Sequence, residues 1–124
     1  MNLIDSCGWL EYFADGANAS FFSDAIEDVE RVLVPTICLL EVFKRVYRQR
    51  GEEPALQAIA HMQEGRVVSL DSATALSAAR IGADLRLPLA DSVILATAWA
   101  YEAVVWTQDS DFENIPGVKY KRKS

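Results

Sequence analysis

Short apolar runs alternate along this chain with longer stretches of helical periodicity, and that alternation restricts the fold more than any other feature. Asn2 to Ile4 is a first apolar run ending on Asp5. Ser6 then caps a helix carrying Trp9, Leu10, Tyr12 and Phe13, with Gly16 as its stop. Ala17 to Asp28 reads as a second helix, and Val32 to Val34, bounded by Pro35, as a β-branched strand. Thr36 caps a longer helix to Arg50, where Gly51 ends it. Glu52 to Glu64 reads as helix, Val67 to Leu70 as strand, and Ser72 to Arg86 as a helix opened by Asp71 or Ser72 and broken by Pro88. Asp91 to Glu102 is a helix apolar nearly all round, expected to be buried or at a subunit interface. Ala103 to Thr107 follows as a buried strand, and Val118 to Tyr120 as a last edge strand. Strands alternating with helices predict an α/β fold: a short, mainly parallel sheet covered by helices on both faces, with ligands beyond the carboxyl ends of the strands.

The 124 residues contain no repeat or Gly/Ser linker and suit one domain over 1–124. Hydrophobic residues make up 51% of the chain, enough for a core without disulfides or a structural metal. Charge-free stretches such as Ser92 to Tyr101 are about half of the ~20 residues that cross a bilayer, and no signal-peptide pattern opens the chain, so a cytoplasmic protein is expected. Cys7 and Cys38 sit in apolar company at unrelated spacing and read as reduced core thiols. A net charge of −6 argues against simple electrostatic wrapping of nucleic acid. The distribution is uneven, however. The first thirty residues hold seven acids and no base, whereas eight of the twelve bases form two clusters, Lys44, Arg45, Arg48 and Arg50, then Lys119, Lys121, Arg122 and Lys123.

Four acids fall where such a sheet places its site. Asp5 and Asp109 follow strands, Glu41 lies in the first turns of the helix after the second strand, and Asp91 opens a helix. Each has a structural alternative: Asp5 and Asp91 as helix caps, Glu41 as an i,i+4 partner of Arg45, and Asp109 with Asp111 as turn formers.

Taken together with their neighbours, these residues resemble the PIN-domain ribonucleases, and among them the toxin subunits of VapBC toxin–antitoxin pairs. The matching segments are Leu3-Ile4-Asp5-Ser6, Val34-Pro35-Thr36 with Leu40-Glu41, Leu87-Pro88-Leu89-Ala90-Asp91 with Ala96-Thr97-Ala98, and Thr107-Gln108-Asp109-Ser110-Asp111-Phe112, in order over nearly the whole chain. The resemblance implies a PIN-like three-layer α/β/α fold. It also implies metal-binding acids at Asp5, Glu41, Asp91 and Asp109, with Asp111 as a fifth, and small hydroxyl positions at Ser6 and Thr107. The Asn that often follows the Asp-Ser/Thr pair is Cys7 here, and the Arg often found before the fourth acid is Gln108; neither change removes a metal ligand. An antitoxin whose C-terminal segment fills a groove and blocks the site, and a homodimer, are further implications. Trp9, Tyr12 and Phe13, near Asp5, either pack in the core or form that groove.

Elementary electrostatics points the same way. At ~5 Å and an effective dielectric near 20, each pair of like charges costs about 3 kcal/mol, so four gathered carboxylates require protons or a cation. All-oxygen ligands select hard ions, here Mg²⁺ or Mn²⁺, which can activate water for phosphodiester hydrolysis. Lys44, Arg45 and Arg48, on the helix face that carries Glu41, either hold flanking phosphates of an RNA substrate or form a solvated face. Lys119 to Lys123 reads as a frayed end. The only histidine, His61, has no partner motif, which excludes a two-histidine ribonuclease mechanism. The leading expectation is a metal-dependent endoribonuclease toxin. Its alternatives are a catalytically silent PIN-like interaction module and a phosphoacceptor signalling domain using Asp71, which lacks that class's paired acids and late lysine.

Overall fold

A computed structural model describes residues 1–124. Five strands, β1 (Asn2–Ile4), β2 (Val32–Pro35), β3 (Arg66–Val68), β4 (Val104–Thr107) and β5 (Val118–Tyr120), form one sheet in the order β3-β2-β1-β4-β5. Every neighbouring pair is parallel. Six helices, α1 (Ser6–Phe13), α2 (Ala19–Glu27), α3 (Thr36–Arg50), α4 (Glu52–Met62), α5 (Ser72–Leu85) and α6 (Leu89–Ala100), make the crossovers that parallel strands demand and complete a three-layer α/β/α fold. In the central strand β1, Leu3 pairs in register with Leu33 on one side and Val105 on the other, and all three are fully buried. Burial on both faces explains why these strands read as continuous apolar runs rather than as alternating ones.

Three helix starts differ from the sequence expectation. Asp5, the alternative cap, takes the place expected of Ser6 at α1: its backbone is extended and its Oδ1 accepts the Ser6 N–H at 2.8 Å. Pro35 takes the cap position of α3, leaving Thr36 as the first helical residue without a side-chain cap. Pro88 does the same for α6, so the helix begins at Leu89 and Asp91 lies within its first turn instead of opening it. A proline has its φ already fixed near the value a helix start needs, which favours these earlier starts.

Helix α6 is buried from Asp91 to Ala98, against α5, α3 and β4 of the same chain, so a subunit interface is not needed to cover it. Its hydroxyls bond back to their own backbone, Thr97 to the Val93 carbonyl at 2.7 Å and Ser92 to that of Pro88 at 2.9 Å. Gly8 allows α1 to lie close on β1 and α2, since a Cβ there would stand 2.7 Å from Ile4 Cγ2 and from the Phe22 ring. The basic tail is held rather than frayed. The Lys121 N–H donates to the Thr107 carbonyl at 2.9 Å, the Arg122 carbonyl accepts from Asn18 Nδ2 at 3.0 Å, and Lys119 Nζ stands 4.5 Å above the Trp106 ring centroid. No helix is long and apolar enough to cross a membrane.

Candidate metal centre

From β1 the chain builds outward through β2 to β3, then returns to lay β4 on the other side of β1. The strand order therefore reverses between β1 and β4, and in open α/β sheets a crevice opens at the carboxyl ends of such a pair. Asp5 is the residue after β1, and Asp109 lies two residues beyond β4. The first turn of α6 brings Asp91 to the same end, and one carboxylate oxygen from each of the three lies within 4.8 Å of the others.

Asp5 is 3% exposed. Besides the Ser6 N–H on Oδ1, it accepts on Oδ2 from Thr107 Oγ1 at 2.8 Å and from the Cys7 thiol at 3.3 Å. Burial pushes its pKa above the usual carboxylate value even though these donors pull it down, and the charge of Asp109 adds to the rise. Asp91 is pushed up to about 8, first by burial, then by the charges of Asp109 and Asp5, a hydrogen bond with Asp109, and the charge of Asp111. The Thr107 hydroxyl also accepts the Asp109 N–H at 2.9 Å, so one fully buried side chain fixes both strand-end acids. With all three ionised, each pair would cost roughly 3.5 kcal/mol at an effective dielectric near 20. The cluster therefore needs a proton or a cation among its oxygens.

The donor chemistry fits a hard divalent ion. Every oxygen in the group belongs to a carboxylate, and the nearest sulfur, Cys7, has its pKa pushed up to about 12 by burial and then by the Asp5 charge. That thiol stays protonated and acts as a donor to Asp5, not as the inert core thiol the sequence suggested. Its place in the turn after Asp5 was the only sequence signal of this role.

The other expected site residues divide. Glu41 lines the same cleft of about 520 Å³ as the three aspartates but lies outside their close group, because its Oε1 accepts from Ser6 Oγ at 2.7 Å. The Glu41–Arg45 pair does not form; the only ion pair is Arg31–Asp28 at 3.8 Å. Lys44, Arg45 and Arg48 are exposed and line the acidic cleft. Asp111 is exposed and outside the close group, joined to it through its N–H, which donates to Asp109 Oδ1 at 2.9 Å. Asp71 caps α5, accepting the Thr74 N–H at 2.8 Å, and does not line the cleft. Trp9 is fully buried, and His61 meets it, Tyr12 and Phe13 edge-on at centroid distances of 6.1, 5.7 and 5.5 Å.

The family model for the PIN domain matches residues 3–118. No curated protein is similar to the chain in sequence. Among solved structures, a toxin–antitoxin complex from Klebsiella pneumoniae superposes with a TM-score of 0.79 at 22% identity over 96% of each chain. DNA-bound VapBC from Salmonella typhimurium gives 0.74 at 20% identity over 98% of each. The sarcin–ricin loop cleaving toxin VapC20 of Mycobacterium tuberculosis gives 0.78 at 16% identity, over 95% of this chain and 97% of that one. At such identities the likeness carries the fold alone, over nearly the whole of each chain.

Proposed function

The chain belongs to the PIN-domain family, and from that premise we propose that it is a Mg²⁺- or Mn²⁺-dependent endoribonuclease, the toxin of a VapBC-type toxin–antitoxin pair. One observation carries the reading: three aspartates from separate parts of the chain meet within 4.8 Å at the strand-order reversal, with the Asp91 pKa raised to about 8 by burial and then by the charges of the other two. Asp5, Asp91 and Asp109 hold the cation, and Glu41 joins them from α3. A bound divalent ion supplies Lewis acidity for an in-line phosphoryl displacement.

The chain's own groups do the positioning. Thr107, Ser6 N–H and Cys7 fix the Asp5 carboxylate, the Ser6 hydroxyl fixes Glu41, and the Asp111 N–H shapes the turn that carries Asp109. Lys44, Arg45 and Arg48 hold phosphates flanking the scissile bond, screening a polyanion from the acids. RNA as substrate and an antitoxin as partner draw support from the solved relatives, which include a toxin–antitoxin complex and a toxin that cleaves the sarcin–ricin loop. We read residues 1–124 as one domain that works as a homodimer in the cytoplasm. The test is calorimetric titration of Mg²⁺, Mn²⁺ and Zn²⁺ into EDTA-treated protein beside a digest of single-stranded RNA and of DNA. Saturable Mn²⁺ or Mg²⁺ binding that Asp5→Asn abolishes, with RNA cut in preference to DNA, supports the reading; no divalent binding, or cleavage unaffected by Asp5→Asn, overturns it.

A further inference from the structure

We propose that a second cleft, beside the acidic one, holds the nucleotides that flank the scissile step of a single-stranded RNA; the inference rests on the ribonuclease reading and extends it. The second cleft has a volume of about 650 Å³ and lies between α1, α3 and α4. It meets the acidic cleft at Cys7, Leu10 and Arg45, which line both, so a strand leaving the aspartates has a continuous path into it.

Its charge departs from that of the chain. In a protein of net charge −6, three cations, Arg45, Arg50 and Lys123, border this cleft against one acid, Glu11. That acid is already engaged, since its Oε2 accepts the Asn18 N–H at 2.8 Å. Lys123 is presented by a fixed tail: Asn18, itself 6% exposed, holds the Arg122 carbonyl, and Lys121 is paired to the end of β4. Phe13 and His61, both half-buried with rings 5.5 Å apart, form part of the wall. A cationic rim beside half-exposed rings is the combination that binds single strands, with phosphates on the bases and nucleobases stacked on the aromatic faces. A cleft built for an apolar helix would not need three cations at its edge.

The test uses the full-length protein with Mg²⁺ and two single-stranded RNAs sharing one cleaved sequence. The short RNA carries only the scissile step and its immediate neighbours; the long one extends on both sides. The double variant Arg50→Gln, Lys123→Gln replaces two exposed side chains outside the acidic cleft. It should raise KM several-fold on the long RNA with kcat held, leave the short RNA unaffected, and flatten the salt dependence for the long RNA by about 1.4, at ~0.7 per phosphate contact. His61→Ala should weaken the long RNA alone without changing that slope. Equal losses on both RNAs, or no change on either, overturn the proposal, the second result assigning the cleft to a protein partner. Fluorescence anisotropy of the same RNAs in EDTA separates the two readings. If wild type binds the long RNA more tightly than the double variant does in EDTA, yet cuts neither RNA once millimolar Mg²⁺ or Mn²⁺ is supplied, the nuclease reading falls and the cleft assignment stands.

Discussion

The Thr107 hydroxyl donates to Asp5 Oδ2 at 2.8 Å, tying the end of β4 to the residue that follows β1. The same oxygen accepts the Asp109 N–H, so a single group sets the separation of two acids that otherwise repel. Thr107→Val keeps the shape but strands the Asp109 N–H and removes a donor from a buried carboxylate. It should destabilise the fold by about 1–3 kcal/mol and sharply lower RNA cleavage. Thr107→Ser should restore cleavage, and urea melts with a cleavage assay on both variants check the pair.

Asp91 and Glu41 should separate in their effect on stability. Asp91 belongs to the close group and Glu41 does not, being held by Ser6. Without metal, Asp91→Asn should therefore raise the melting temperature clearly, by roughly 4 °C for each kcal/mol of repulsion relieved, while Glu41→Gln leaves it nearly unchanged. Both should lose cleavage. Thermal melts in EDTA distinguish them, and an equal rise in both would place Glu41 within the same repulsive group.

The gain from Asp91→Asn should depend on pH with a defined sign. Asp91 is pushed up to about 8 in the fold, against about 4 in an unfolded chain. Its contribution to stability is thus fully present below pH ~4 and is lost as pH rises through about 8. Asparagine resembles the protonated acid at every pH, so the difference between variant and wild type should be small near pH 4 and widen steadily to pH 8. Mg²⁺ affinity of the wild type should rise over the same window as the proton leaves. A difference that stays flat from pH 4 to 8 contradicts the assignment.

Gly8 tests how α1 is seated. Gly8→Ala places a methyl 2.7 Å from Ile4 Cγ2 and the Phe22 ring, both fully buried, and should destabilise by about 1–3 kcal/mol in a chemical melt. Because Ile4 immediately precedes Asp5, the same shift should weaken Mn²⁺ binding, which a titration on the folded variant measures.

The alternation of strands and helices was legible because buried parallel strands leave continuous β-branched runs, as at Val32 to Val34, and because Gly51 marks the end of α3 with φ at 90°. Helix starts were less so. Asp5 and Ser6 are both good caps, and the backbone angles, not residue type, decide which of them serves. Asp5, Asp91 and Asp109 could be placed at one end of the sheet from their order along the chain. The separation of Glu41 from them could not, since it depends on the rotamer that Ser6 holds across the cleft. The tail looked frayed because what fixes it, Asn18, lies 104 residues away and leaves no local signal. Cys7 looked inert for a similar reason, its role depending on the orientation of one thiol toward Asp5.

The central claim, that the aspartate group is the metal centre of a ribonuclease, is tested most directly by restoring metal to EDTA-treated protein and following cleavage of single-stranded RNA by wild type and Asp91→Asn side by side. Wild type should be inactive in EDTA and active once millimolar Mg²⁺ or Mn²⁺ is returned, whereas Asp91→Asn should stay folded and inactive under both conditions. Cleavage by wild type in EDTA, or normal metal-dependent cleavage by Asp91→Asn, would contradict the claim and leave Asp91 as a structural residue in the first turn of α6.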